Sequence, residues 1–342
     1  MRVALDATYS VDSQPSGIAV YSRHILNGLA ETHPQDHFTH CYRPKQFRRA
    51  PNSTLPNVST KMLLPFGPGV RADVFHALNQ RVDRRPAEKV VSTFHDLFVI
   101  TGEYSSPDFR ERFARQAQQA AESSDLLIAV SAFTAHQISS CLKIEPSRIR
   151  VIPHGVIPPR ETPPEQREPI ILFVGALQLR KNVKRLVEAF ESVPPPWRLV
   201  LAGAPTGYRA EEIIERIAAS PSRQRIEVTG YVTQAHLENL FSRASIFAFP
   251  SLDEGFGIPV LEAMAWHVPV LTANSSALAE LGAGAALLVD PLSVDEIAGA
   301  LHRLIDSEDL RKELIRSGAV KASGFTWADA IRKTYEVYQE LG

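Results

Sequence analysis

The sequence is poor in cysteine. Cys41 and Cys141 are the only two in 342 residues, too few for a disulfide framework and in keeping with a reducing compartment. It has no apolar run of the ~18 residues that a membrane-spanning helix needs, so any membrane attachment is expected to be peripheral. The opening M-R-V-A-L-D lacks the long apolar region of a secretory signal. A cytoplasmic location is therefore expected, with the inner face of a membrane as the peripheral site. No low-complexity tract or short repeat is visible. Charge of one sign is lacking too. The net is −1, and without a basic domain or basic strands interleaved with aromatics there is no case for nucleic acid. No D-x-D triplet or other paired metal-ligand cluster occurs, so no metal site is expected.

What is present is a soluble globular composition, 44% hydrophobic and 22% charged, long enough for about two domains. The charge is uneven. Residues 1–160 carry 19 Lys+Arg against 14 Asp+Glu, and residues 161–342 carry 18 against 24. Basic patches at Arg43, Lys45, Arg48 and Arg49, and at Arg81, Arg84 and Arg85, lie in the first half. They are either a solvated face or a surface for an anionic acceptor or membrane.

The chain is organised around residues 249–269, F-P-S-L-D-E-G-F-G-I-P-V-L-E-A-M-A-W-H-V-P. An apolar strand over 245–249 runs into a tight turn with Gly255 and Gly257. A helix is expected to begin near Pro259, a residue the first helical turn tolerates. Glu254 falls in the turn, and Glu262 is expected in the helix's first turn. The glycines leave backbone N–H groups uncovered beside a helix N-terminus, which suits an anion such as phosphate. The two carboxylates suit hydroxyl groups. The alternative is an ordinary Gly-rich turn, with Glu262 only a partner of the helix dipole.

Strands and helices alternate along the rest of the chain. Residues 3–5 form a short strand, and Gly17 opens a helix with Ile18, Tyr21, Ile25 and Leu29 on one side. The turn Pro15-Ser16-Gly17 between them lacks G-x-G-x-x-G, so no dinucleotide fingerprint stands there. Strands are expected at 36–42, 73–77 and 90–94, the last running into His95. Histidine just past a strand end is placed for a ligand, and it titrates nearest neutrality; the alternative is a loop histidine bonded to backbone. Ser131 is a helix cap. His154 reads equally as a hinge, a pocket residue or a structural one. Residues 157–169 hold five prolines without periodicity, a stiff linker and the best domain boundary. Alternation then restarts at the strand 170–174. Arg180 and Lys181 stand before the helix 183–190, where cations oppose the dipole. A bound anion would resolve that conflict, or the pair is simply solvated. The regular alternation predicts parallel sheets covered on both faces. The tail 327–341 is a separate helix whose stripe of Trp327, Ile331, Tyr335 and Tyr338 needs a partner surface.

D-E-G-F-G-I-P-V-L-E, residues 253–262, resembles the E-x7-E signature of the retaining nucleotide-sugar glycosyltransferases of family 4. Other pieces fall in that family's order: P-S-G-I-A-V-Y at 15–21, F-H-D-L at 94–97, V-S-A-F-T at 130–134, V-I-P-H-G-V at 151–156, F-V-G-A-L-Q-L-R-K-N at 173–182 and A-A-L-L-V-D-P at 285–291. The resemblance covers nearly the whole chain. It implies the GT-B fold, with two Rossmann-like α/β domains facing each other across a deep cleft. The domains would be 1–160 and 161–324, with a helix at 325–342 crossing back to the first. It implies a hexose carried by a GDP-, UDP- or dTDP-sugar, with no cofactor, and a glycan or lipid-linked acceptor. By likeness, Arg180 and Lys181 would hold the donor diphosphate, Glu254 the sugar hydroxyls near the reacting carbon, and Glu262 the ribose. The backbone of Gly255, Phe256, Gly257 and Ile258 would line the donor site. His95 would line the sugar site, and Gly17 would let its loop approach the donor. Many members carry Arg after the glycine at 175; here it is Ala176, as in a mannosyltransferase-like subgroup of surface-polysaccharide assembly. Trp266-His267 replaces a frequent Cys-Gly.

Negative charge developing on the leaving phosphate would be met by Arg180, Lys181 and the helix start near Gly255–Pro259, which makes a divalent cation unnecessary. Retention through a covalent carboxylate and retention through same-face attack stay open. The rivals are a nucleotide-sugar epimerase or a phosphorylase-like enzyme of the same fold, and a catalytically idle sugar-binding subunit.

Overall fold

The structure is a computed structural model that describes every residue except 13–15, 52, 65–68, 160–163 and 165. Pro15 of the first turn and part of the proline-rich linker therefore lie outside the described residues. Two compact units emerge. One comprises Met1–Gly155 and Thr326–Gly342, the other Val156–Phe325.

The first unit is built on a parallel sheet of β1 (Arg2–Asp6), β2 (His37–Tyr42), β3 (Val58–Met62), β4 (Val74–Ala77), β5 (Lys89–Phe94), β6 (Leu126–Ala129) and β7 (Ile149–Val151). Their spatial order is β3-β2-β1-β4-β5-β6-β7. Alternate side chains point to opposite faces, and both faces are covered. Val3 and Leu5 join one apolar core with Ile25 and Leu29 of the helix Gly17–Thr32, while Ala4 joins the other with Ala117, Ala120 and Ala121 of the helix Pro107–Ser123. Ser131 caps the helix Ala132–Leu142, its hydroxyl accepting from the Thr134 N–H at 3.0 Å.

The C-terminal helix Trp327–Leu341 belongs to this unit and supplies the surface its stripe required. Ile331, Val337 and Tyr338 enter the core beside the helix Gly17–Thr32. The two helices meet at Gly28, where a Cβ would stand 2.1 Å from Ile331 Cδ1; only glycine permits that approach. Trp327 stacks on His24 with centroids 4.1 Å apart, and Tyr335 stacks on His33 at 3.5 Å.

The second unit has a six-stranded parallel sheet of β8 (Glu168–Val174), β9 (Arg198–Ala202), β10 (Ile226–Gly230), β11 (Ala244–Phe249), β12 (Val270–Ala273) and β13 (Leu287–Val289), in the order β10-β9-β8-β11-β12-β13. Its central strands are continuous apolar runs, as burial on two faces demands. Phe173, Phe247 and Phe249 are fully buried and stack on one another. In each sheet chain order reverses once, between β1 and β4 and between β8 and β11. Open α/β sheets bind ligands at the carboxyl ends of the strands that flank such a reversal.

Two features depart from the sequence reading. β3 was not expected: V-S-T-K-M is an edge strand without a fully buried residue, so it carries no apolar run. The helix after residue 257 spans Ile258–Ala265 and has no acidic residue in its first turn. Glu262 therefore sits one turn further in than expected, and it is not a dipole partner of the helix start.

Candidate active site

The loops that follow β8 and β11 meet at the reversal in the second sheet. After β8, a single turn of 3-10 helix covers Leu179–Lys181, and Asn182 then adopts a left-handed conformation at φ 58°. Asn is one of the few side chains that enters that region readily. Its amide donates to the carbonyls of Pro250 at 2.9 Å and Pro291 at 2.6 Å. This pins the first loop to the end of β11. The Leu252 N–H and the Ser251 hydroxyl both donate to the Arg180 carbonyl, at 2.8 and 3.1 Å. Backbone bonds thus place Arg180 and Lys181 before their side chains are considered.

Those side chains converge on Glu254. Lys181 Nζ lies 2.6 Å from Oε1 and an Arg180 guanidinium nitrogen 2.7 Å from Oε2. Ser251 donates to Oε1 at 2.6 Å, and Arg180 also donates to the Asp253 carbonyl. The three residues are 7–9% exposed. Burial alone would raise the Glu254 carboxyl, but the Arg180 and Lys181 charges and the bonds from Lys181 and Ser251 outweigh it, holding the group at about 2. It is ionised throughout the neutral range. Lys181 Nζ also sits 4.7 Å from the Phe249 ring centroid, a favourable cation–π position. Two cations and the Glu254 carboxylate thus share this buried site, with the buried Asp253 next to Glu254 in the chain.

At the start of the helix Val183–Phe190 a carboxylate of the chain itself, Glu254, meets the two cations, a partner that the sequence reading did not name.

The turn after Glu254 is fixed by its neighbours. The Glu254 N–H donates to the Ser276 hydroxyl at 3.2 Å, and the Ala277 N–H to the Glu254 carbonyl at 3.2 Å. Gly257 caps the following helix with φ 106°, a left-handed conformation that favours glycine, and a Cβ there would stand 2.8 Å from Leu278 Cδ2. Gly255 and Ile258 flank that cap region, and Phe256 is buried edge-on against Phe325. Glu262 is half-buried, and no hydrogen bond or ion pair holds its carboxyl among the described residues. Loss of water raises it to about 7. It stands near half protonation at neutral pH and can both donate to and accept from hydroxyls.

Gly17 and His95 lie in the first unit. Gly17 opens the helix after β1, with Ser16 as its cap. His95 follows β5 and is buried. Its Nε2 donates to the Leu78 carbonyl at 2.9 Å, and its Nδ1 lies 3.4 Å from His154 Nε2. Burial lowers it to about 4 despite the Leu78 bond. The expectation that this ring titrates near neutrality does not hold: His95 is a neutral imidazole with one N–H committed to backbone. His154 is buried and stacked on it, centroids 5.3 Å apart. Asn182, Ser251 and Ser276 were missed by sequence reasoning. The only signal was Asn182 directly after Arg180-Lys181, where a turn residue ends a basic pair. Among the described residues, no group of three or more His, Cys, Asp or Glu could hold a metal ion. Among the same residues, no helix is long and apolar enough to cross a membrane.

Two family models match the chain in succession. Residues 15–160 match Glycosyltransferase Family 4, and residues 159–321 match Glycosyl transferases group 1. O-antigen chain mannosyltransferase B of Escherichia coli is 27% identical over 286 residues, covering 78% of this chain and 74% of that protein. The serotype-specific mannosyltransferase WbdA of Escherichia coli is 26% identical over 278 residues, which are 74% of this chain but 34% of WbdA. The chain thus spans about a third of that longer relative. Among solved structures, sucrose-phosphate synthase from Thermosynechococcus elongatus aligns over 100% of this chain and 99% of its own, with a TM-score of 0.79 at 20% identity. That is a likeness of fold. With both matched domains in place on two doubly wound sheets, the chain belongs to the group 1, family 4 glycosyltransferases and has their GT-B fold.

Proposed function

We propose that the chain transfers a hexose from a nucleotide-sugar to a glycan or lipid-linked acceptor with retention of configuration, and that the donor is GDP-mannose. The observation that carries the proposal is the convergence of Arg180 and Lys181 on the buried Glu254 at the β8/β11 reversal. A diphosphate brings more negative charge than Glu254 can. It takes over bonds from Lys181 and Arg180, and the Glu254 oxygens so released accept from the sugar hydroxyls. Glu254 is ionised when the donor arrives, because the two cations and Ser251 hold its carboxyl at about 2 against burial. Glu262, near half protonation, suits the vicinal hydroxyls of the ribose.

In the reaction the anomeric C–O bond to the diphosphate breaks and a bond from the acceptor oxygen forms on the same face. The acceptor's proton passes to the leaving phosphate. Arg180 and Lys181 gain interaction energy as charge builds on that phosphate, so they favour the transition state over bound donor. His95, neutral and oriented by Leu78, contributes its second ring nitrogen as a hydrogen-bonding group, not a proton exchanged near pH 7.

Mannose is favoured by the two relatives above, whose names describe mannosyltransferases. A UDP- or dTDP-hexose is the second choice, because the diphosphate that Arg180 and Lys181 would grip is common to all three; a dTDP-sugar lacks the ribose 2′-hydroxyl and so would leave Glu262 a single hydroxyl. The test is a panel of GDP-, UDP- and dTDP-sugars read by thermal shift, since ligand bound to the native state raises apparent stability. GDP-mannose is expected to give the largest shift, and product formed with an acceptor is expected to keep the donor's anomeric configuration. Inverted product, or donor altered without any acceptor, would overturn the proposal.

A further inference from the structure

The carboxyl end of β4 flanks the reversal of the first sheet, an edge where open α/β sheets receive ligands. The chain leaves that end as Leu78, Asn79 and Gln80. Leu78 is already committed, since its carbonyl accepts from His95 Nε2 at 2.9 Å. Asn79 and Gln80 are not. Each is 5% exposed, and neither Asn79 Oδ1 nor Gln80 Oε1 receives a hydrogen bond among the described residues. The structural amides of this chain behave differently. Asn182 donates to the carbonyls of Pro250 and Pro291, and Asn57 to those of Ala30 and His33. Gln137 Oε1 is orphaned too, but it lies within the helix Ala132–Leu142 and not on a loop at a strand end.

A buried oxygen that no group donates to costs folding free energy. Two in succession at a ligand-binding edge need a reason. The orphaned atoms are acceptors, so the reason is a group that donates. Ionised phosphate and carboxylate only accept, which excludes them at these two atoms. The charges close by in the chain are spent on one another. Arg81, next after Gln80, pairs with Asp83, and Arg43 joins Asp83 to Asp6 at the end of β1. A neutral donor is what remains. A hydroxyl serves, because it can give its proton to an amide oxygen and accept from an amide N–H. Two consecutive carboxamides match neighbouring hydroxyls on a sugar ring.

We propose that Asn79 and Gln80 form an uncharged subsite of the first unit that reads the hydroxyls of the acceptor's terminal sugar. It selects a neutral sugar where the basic residues nearby, read from sequence, suggested an anionic acceptor. Naming that sugar the acceptor rests on the transfer reaction proposed above. The two amides and their need for a donating group do not.

Binding of methyl α-mannoside, methyl α-glucoside and methyl α-galactoside to the full chain is read by saturation-transfer NMR. At least one is expected to bind. Asn79→Leu and Gln80→Met should each weaken it about fivefold, the worth of one neutral hydrogen bond, and the control Gln137→Met should not. One monodeoxy form of that glycoside should bind the parent and Asn79→Leu alike, because the contact is already gone. The urea midpoint should hold or rise in both variants, since an apolar group replaces an orphaned oxygen. A lower midpoint would make the amides structural. Unchanged glycoside binding would mean that they hold water only. Either result overturns the proposal, as does a parent that binds none of the three glycosides. The thermal shift given by GDP-mannose should be the same for parent and variants. A shift lost along with the glycoside would put the amides in the donor's site and overturn the proposal too. A parent that binds a glycoside through these amides, yet shifts with no nucleotide-sugar, would sink the donor reading and leave the subsite standing.

Discussion

At the strand ends of the second unit three ionised groups share a buried site, whereas the buried histidines of the first unit are kept neutral. In the second unit Glu254 is held at about 2 by two cations within 2.7 Å. In the first unit burial pushes His95 to about 4 and His76 to about 3, the latter with help from His95 nearby. His76 bridges Tyr338 of the C-terminal helix at 2.6 Å and Thr93 of β5 at 2.8 Å, and Thr93 in turn meets the Tyr21 hydroxyl at 2.9 Å. Both arrangements satisfy buried polar atoms. They differ in what they can do for a charged ligand. The neutral network has no charge to lend, so it organises the first unit and offers hydrogen bonds. The ionised group holds two cations away from bulk water, where charge acts most strongly on a developing negative charge.

The comparison breaks most sharply at Glu254. Removing one partner of a buried ion group strands the rest and costs about 3–5 kcal/mol. Glu254→Ala should therefore lower stability to urea by that order, and cut turnover about a hundredfold or more. Lys181→Met is the sharper tool. It leaves Glu254 paired with Arg180, so the fold should lose little, while turnover should still fall about a hundredfold because one of the two cations proposed to meet the diphosphate is gone. A Lys181→Met protein with parental turnover would show that the donor does not use Lys181. The matching change in the first unit, His95→Ala, should leave the pH dependence of turnover near neutrality unaltered, because His95 does not titrate there.

How much of this was legible in the sequence follows from the same physics. The apolar runs of β8 and β11, the glycines of the turn and the Arg180-Lys181 pair are local signals, and each marked its element correctly. Pairing is not local. That Lys181 and Arg180 meet Glu254, seventy-odd residues away, depends on β8 and β11 lying side by side. The helical stripe at Trp327, Ile331, Tyr335 and Tyr338 announced a need for a partner surface, and Gly28 could not be singled out as the residue that admits it. β3 failed to register because an edge strand need not be apolar. His95 was found by position, but its titration was misjudged, since burial is invisible in the one-letter string.

The two ways of burying titratable groups also predict opposite responses to acid. A histidine lowered from 6.5 adds stability that is present above 6.5 and lost as pH falls through its folded value. His40, His76 and His95 place that loss in the first unit between 6.5 and about 3 to 4. Glu262 is raised from 4.5 to about 7, so it binds a proton more readily folded than unfolded. Its contribution is present below 4.5 and lost as pH rises through 7. Glu254, lowered to about 2, acts only below 4.5. Between 4.5 and 6.5, acidification should thus weaken the first unit and strengthen the second. Hydrogen exchange of β4 and β5 amides, against those of β11 and β12, reads the two separately at both ends of that window. Glu262→Gln should flatten the second unit's slope, a change on the order of 2 kcal/mol at this half-buried site, and leave the first unit's slope alone. Parallel slopes in both units would mean that Glu262 is not the group responsible.

The smallest expected effect is none at all, and it bears on the same contrast. A divalent cation is useful to a departing diphosphate because it brings positive charge to oxygens that would otherwise carry the developing charge alone. On the proposed reading Arg180 and Lys181 bring two such charges, and the donor's own charge would draw both toward it as it binds. The sugar hydroxyls would then take the place the cations held on Glu254. Turnover measured in excess EDTA should equal turnover without it, for the parent and for His95→Ala alike. Activity lost to EDTA and restored by Mg²⁺ or Mn²⁺ would mean that the two cations fall short of what the leaving group needs, and that the ionised site differs from the neutral one by less than its electrostatics imply.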